Sequence, residues 1–192
     1  SISTVAPDAP TAAACLEAMR EVKDRLYGGG RFQLQFSAHS TDESVRRQVM
    51  RARPWSLERV ADFGRRWWRP GDRKVTLNFA LAPDQPLDPE TVARTFDPER
   101  FLIKITPVNP TRASEANGAS RLWTEPPADI ASAAAGLRAR GFSVILSPST
   151  PEEIAAETSC GQLWSSALRD EARAGLRADR LERECYVVAG TM

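Results

Sequence analysis

Cys160 ends the run "EIAAETSCGQLW", where short polar and acidic side chains give way to a Gly-Gln turn. A thiol on such a loop can do chemistry if it is partly exposed and its thiolate is favoured. The sequence shows no positive charge that would favour the thiolate, so spacing alone reads Cys160 as inert. Its companions, Cys15 and Cys185, are far away, and there is no Cys-x-x-Cys pair. An odd, scattered set argues against a disulfide framework and against a self-contained zinc or iron-sulfur site. His39 is the single histidine, in "FSAHSTDE". With no second histidine and no Ser/Asp order around it, a triad or metal site has no support. Asn109-Pro110 reads first as a turn, although the amide offers both a donor and an acceptor to a ligand. Trp67 and Trp68 among Arg65, Arg66 and Arg69 could form an aromatic-basic RNA surface. The simpler reading is a helix end with one tryptophan turned inward and arginines placed at the negative pole of the dipole.

These residues need a scaffold, and composition permits one. The chain has 192 residues, 42% apolar and 27% charged, with a net charge of +1. That describes one globular domain with a real core. The charge balance neither demands nor excludes a nucleic-acid partner. Almost all the positive charge is arginine; Lys23, Lys74 and Lys104 are the only lysines. No run approaches the roughly 20 apolar residues of a membrane span, and no secretory signal opens the chain. A reducing cytoplasm is the expected setting.

The elements alternate. "SISTVAP" is the end of a strand, and "APTAAACLEAMREVKDRLYGGG" is a helix with Cys15, Leu16, Met19, Val22 and Leu26 at helical spacing. "RFQLQFSAH" alternates as a strand does, with Phe32, Leu34 and Phe36 on one face. Helices "STDESVRRQVM" and "SLERVADFGRRWW" follow, then strand "KVTLNFALA", helix "DPETVARTF" and strand "RFLIKITPV". After a polar loop over 111–126 come helix "ADIASAAAGLRARG" and strand "FSVILSP". A long charged helix from 161 to about 182, with Trp164, Leu168, Ala172 and Leu176 inward, and a last strand "CYVVAG" complete the expectation. Connections too long for hairpins make these parallel βα units. In such folds binding residues gather at the C-terminal strand ends. Ser3, Ser37, His39, Asn109 and the loop to Cys160 are therefore expected on one rim.

In order along the chain, "SISTVAP", "FQLQFSAHSTDESVRRQVM", "KVTLNFAL", "FLIKITPVNP" and "SCGQL" resemble the second half of the radical S-adenosylmethionine (SAM) RNA methyltransferases that act on adenine C2, or C8 in relatives. The resemblance spans residues 1–164 and leaves 165–192 as a C-terminal helix and strand. It implies an α/β fold of parallel βα units, the second half of a radical-SAM-type partial (βα) barrel. It implies that Ser3, the segment Ser37, Ala38 and His39, and Asn109 contact SAM. Cys160 would then be the catalytic cysteine that is methylated and passes a methylene unit to the base. Adenine C2 is not nucleophilic, so the cofactor must supply a radical route while the protein positions carbon and base.

The resemblance further implies SAM and a 4Fe-4S cluster as cofactors, with the cluster ligands outside this chain, and ribosomal or transfer RNA as partner. The family's Cys-x3-Cys-x2-Cys, its Gly-Glu SAM motif and its second catalytic cysteine have no counterpart here. The expectation is a fragment of a longer enzyme, inactive alone, with no metal ligands of its own. Its exposed barrel edges would favour a homodimer. Within the matched region, Ala6 stands where the family has glycine and Ser40-Thr41 replace Ala-Pro. The basic approach to the cysteine is replaced by the acidic "SPSTPEEIAAETS". Two competitors follow: a non-catalytic ligand- or RNA-binding domain on a degenerate barrel, and a radical SAM paralogue with a non-RNA substrate.

Overall fold

A computed structural model describes residues 1–50, 52–83, 85–109, 118, 120–148 and 150. Cys160, Cys185, the helix expected from 161 and the last strand lie outside the described residues.

Five strands form one sheet: β1 (Ile2–Thr4), β2 (Leu34–Ser37), β3 (Val75–Ala80), β4 (Phe101–Thr106) and β5 (Ser143–Leu146). Their order is that of the sequence, and every pairing is parallel. The α/β architecture of parallel βα units expected from the sequence is what the chain adopts. Between the strands run α1 (Pro10–Leu26), α2 (Glu43–Val49), α3 (Leu57–Trp67), α4 (Pro89–Thr95) and α5 (Ala128–Ala139).

Local chemistry sets the helix starts. Asp42, Ser56 and Asp88 accept backbone N–H bonds from the first turns of α2, α3 and α4. Such caps stabilise a helix by about 1 kcal/mol each. Proline opens α1 and α4, where its missing N–H costs nothing.

One side of each strand is apolar. Leu34 and Phe36, then Val75, Leu77 and Phe79, then Phe101, Ile103 and Ile105 are fully buried in a single core. Leu16, Phe63, Trp67, Val92, Ile130, Ala134 and Leu137 meet them from the helices. Phe36 meets Phe63 edge-on, and Phe96 meets Phe101 likewise. Gly64 lets α3 approach so closely that a Cβ there would lie 2.3 Å from the Phe101 ring.

One sequence expectation changes. Val22 and Leu26 of α1 are 39% and 48% exposed, whereas Lys23 is buried. The Lys23 ammonium donates to Asp72 at 2.5 Å and to the Trp67 carbonyl at 2.8 Å, and pairs with Asp24 at 2.6 Å. These partners rotate the buried face of α1 toward Lys23. Trp67 is inward as the simpler reading had it, and Arg66 and Arg69 pair with Glu17 and Asp24. Among the described residues no helix is long and apolar enough to cross a membrane.

Candidate functional site

The other side of the sheet is polar. In register across the strands run Ser3, Gln35, Thr76, Leu102 and Ser143. One pleat further on run Ser37, Asn78, Lys104 and Ile145, and then Ala80 and Thr106. Parallel strands normally bury both faces and read as continuous apolar runs. Here most of these side chains keep part of their surface accessible, and α1, α3, α4 and α5 supply the opposite, apolar core. Gln35 donates to Ser3 Oγ at 3.0 Å, and Gln33 to Thr76 Oγ1 at 3.0 Å. The face is thus an ordered polar surface.

The C-terminal ends of the strands make its rim. Ser37 ends β2, and Ala38 and His39 turn away from it. His39 has φ 64, and Ala6, just past β1, has φ 47. A non-glycine residue in the left-handed region costs roughly 1–2 kcal/mol, and such strain concentrates at functional sites. The backbone thus gives a physical reason for a glycine at the Ala6 position: it would sit there without strain.

The β2 turn is braced from below. Ala38 N–H donates to the Asn78 carbonyl at 2.8 Å. The Ala38 carbonyl accepts from Arg46 Nε at 3.0 Å. Arg46 is 1% exposed and forks onto both oxygens of Glu43 at 2.9 Å. Glu43 also accepts the Leu57 N–H at 2.7 Å, which ties in the start of α3. Ser40 and Thr41 donate to the Pro86 carbonyl, and Thr41 accepts from Asp88 N–H. The Ser40-Thr41 pair is therefore built into the loop before α4.

Burial lowers the His39 pKa, while a bond to the Ala80 carbonyl works the other way and the Arg46 charge adds to the lowering. The imidazole is accordingly neutral at pH 7. One ring N–H is engaged by Ala80, which leaves the other nitrogen as an acceptor.

Of the site residues expected from the sequence, Ser37, Ala38, His39 and Asn109 stand at or just beyond the C-terminal ends of β2 and β4. Ser3 lies below the rim, paired in register with Gln35 on the polar face. Cys160 lies outside the described residues. Sequence reasoning missed Gln35, Thr76, Asn78, Lys104 and Thr106. Their signal was present: "TLN" and "IKIT" alternate polar with apolar inside strands that a parallel sheet should bury on both sides. Among the described residues, no three His, Cys, Asp or Glu side chains are grouped to hold a metal ion.

Fold and face together define an α/β protein of successive parallel βα units, with one polar sheet surface that no helix among the described residues covers. No protein-family model matches the chain, and no curated protein matches it significantly. Among solved structures, a radical SAM methyltransferase from Sphaerobacter thermophilus is similar, with a TM-score of 0.54 and 19% sequence identity. The match covers 77% of this chain and 41% of that one, so this chain spans less than half of its solved neighbour. Over the matched residues the two chains share a fold.

Proposed function

We propose that this chain is the second half of a radical SAM methyltransferase-like enzyme, and that its polar sheet face and rim form part of the SAM site. The observation that carries the reading is the two-sided parallel sheet: apolar against the helices, polar and accessible on the other side. That is the arrangement of a barrel wall whose interior holds a ligand rather than a core. The likeness to a radical SAM methyltransferase gives the fold a chemical context.

The chain's own residues have definite tasks in this reading. Ser37 offers a hydroxyl, and Ala38 and His39 form a braced, strained turn that faces the ligand. Neutral His39 accepts a hydrogen bond from a hydroxyl or amino group. Asn109 presents an amide past the end of β4. Cys160 carries the one-carbon unit. SAM, when bound, supplies the methyl group and the radical precursor. The family's cluster does not fit the residues present, because Cys15, Cys160 and Cys185 are too scattered to ligate it. Its ligands belong to a further segment. The acidic approach to Cys160 favours a substrate other than RNA, as like charge repels phosphate.

Cys160→Ala in the intact protein tests the reading. It should abolish methyl transfer while reductive SAM cleavage persists, and the labelled methyl group should appear in the parent's product, whether RNA or not. Undiminished methylated product in that variant would exclude the carrier role.

A further inference from the structure

We propose that Lys104 and Asn78 form an anion-binding subsite at the centre of the polar sheet face, built to hold a carboxylate or phosphate of the ligand. The proposal deepens the reading above, since it assumes that this face meets the ligand.

The two residues are register partners on neighbouring strands and project from the same side of the sheet. Adjacent strands lie about 4.8 Å apart, so one anion can bridge both side chains. Lys104 is half-buried, and among the described residues its ammonium has no hydrogen-bond or ion-pair partner. The other two lysines are both committed: Lys23 to Asp72 and Asp24, and Lys74 to the Pro98 carbonyl at 2.8 Å. A partly desolvated ammonium without a counter-charge is a standing cost, and an anion removes it.

Asn78 supplies the second donor. The Thr106 hydroxyl donates to Asn78 Oδ1 in a long contact of 3.5 Å, which turns the Nδ2 amide hydrogens away from that acceptor. Among the described residues Nδ2 has no acceptor. The subsite therefore presents only donors, three on the ammonium and two on the amide. Nothing on the strands opposes it: the residues of β1 to β5 on this face include no Asp or Glu. A cationic centre among neutral hydroxyls and amides selects a negative group and rejects a positive one.

Carboxylate and phosphate share this chemistry but come from different molecules, the amino-acid end of SAM or a nucleotide substrate. These 192 residues can separate them because they hold three lysines and one histidine. Reductive 13C-methylation keeps the lysine charge and gives one resonance for each labelled lysine and one for the α-amino group, with Lys104 assigned by its loss in Lys104→Gln. The single imidazole reports the rim. Inorganic phosphate, adenosine 5′-monophosphate and SAM are titrated in turn at constant ionic strength.

The Lys104 resonance should move saturably with at least one probe while Lys23 and Lys74 stay fixed. A response to SAM alone assigns the carboxylate, and a response to phosphate and the nucleotide alone assigns the phosphate. A response to all three marks a shared anion hole. Affinity for the active probe should fall about tenfold or more in Lys104→Gln, and likewise in Asn78→Asp, which keeps the shape and introduces a negative charge. If SAM moves His39 but leaves Lys104 unmoved with every probe, the subsite is wrong and the rim reading survives. If Lys104 responds while SAM leaves His39 unmoved, the subsite stands and the rim reading fails. No saturable shift at either residue, equal shifts at all three lysines, or unchanged affinity in both variants overturns the subsite.

Discussion

His39 combines an unfavourable backbone conformation with a half-buried, neutral ring at the edge of the candidate site. Because burial lowers its pKa from the ordinary 6.5, the unfolded chain takes up a proton before the folded one does. The associated stability is fully present above about pH 6.5 and is lost as the pH falls toward the lower, folded value. We predict that the unfolding free energy of wild type drops between pH 7.5 and 5.5 by more than that of His39→Gln, by at most about 1.4 kcal/mol per pH unit. Parallel profiles for the two proteins would remove the titration of His39 from the account. The place of His39 at a strand end was readable from "FSAH". Its charge state was not, because Ala80 and Arg46 are brought to it only by folding. Ala6 teaches the same lesson, since its left-handed backbone follows from the chain's path after β1 and not from alanine's preference.

Helices announce themselves through caps and spacing, yet the face each one buries depends on what it meets. Periodicity placed Val22 and Leu26 inward on α1, and the ion pairs of Lys23 with Asp72 and Asp24 turned the helix otherwise. Asp72 lies in the turn before β3, so no local reading could have found it. On α3 the decisive residue is Gly64. Alanine there would add about 1 kcal/mol of helix propensity, but its Cβ would overlap the Phe101 ring. Forcing apart a packed contact typically costs about 1–3 kcal/mol, and this overlap is severe. Gly64→Ala should therefore shift the urea midpoint downward despite the better helix former. An unchanged or higher midpoint would mean that α3 and β4 can separate without loss of packing.

For the molecule as a whole, alternation of strand and helix in the sequence was enough to read a parallel sheet, and the sheet takes its strands in chain order. What alternation could not show is that, among the described residues, only one surface of that sheet is used for the core. β3 and β4 lie inside the sheet and are paired over six residues each, whereas β1 has three residues and β5 four. Amide exchange should be slowest in β3 and β4 and fastest at β1 and β5, as local opening starts where fewest bonds must break. Uniform protection across the five strands would contradict this gradient. The two-sided sheet also divides the evolutionary freedom of every strand. Residues at alternate positions answer to different demands: Leu77, Phe79, Ile103 and Ile105 to folding, and, on the function proposed above, Thr76, Asn78, Lys104 and Thr106 to the molecule held. A lineage can therefore rewrite the second set and acquire a new substrate while the first set, and the fold it maintains, stays as it is.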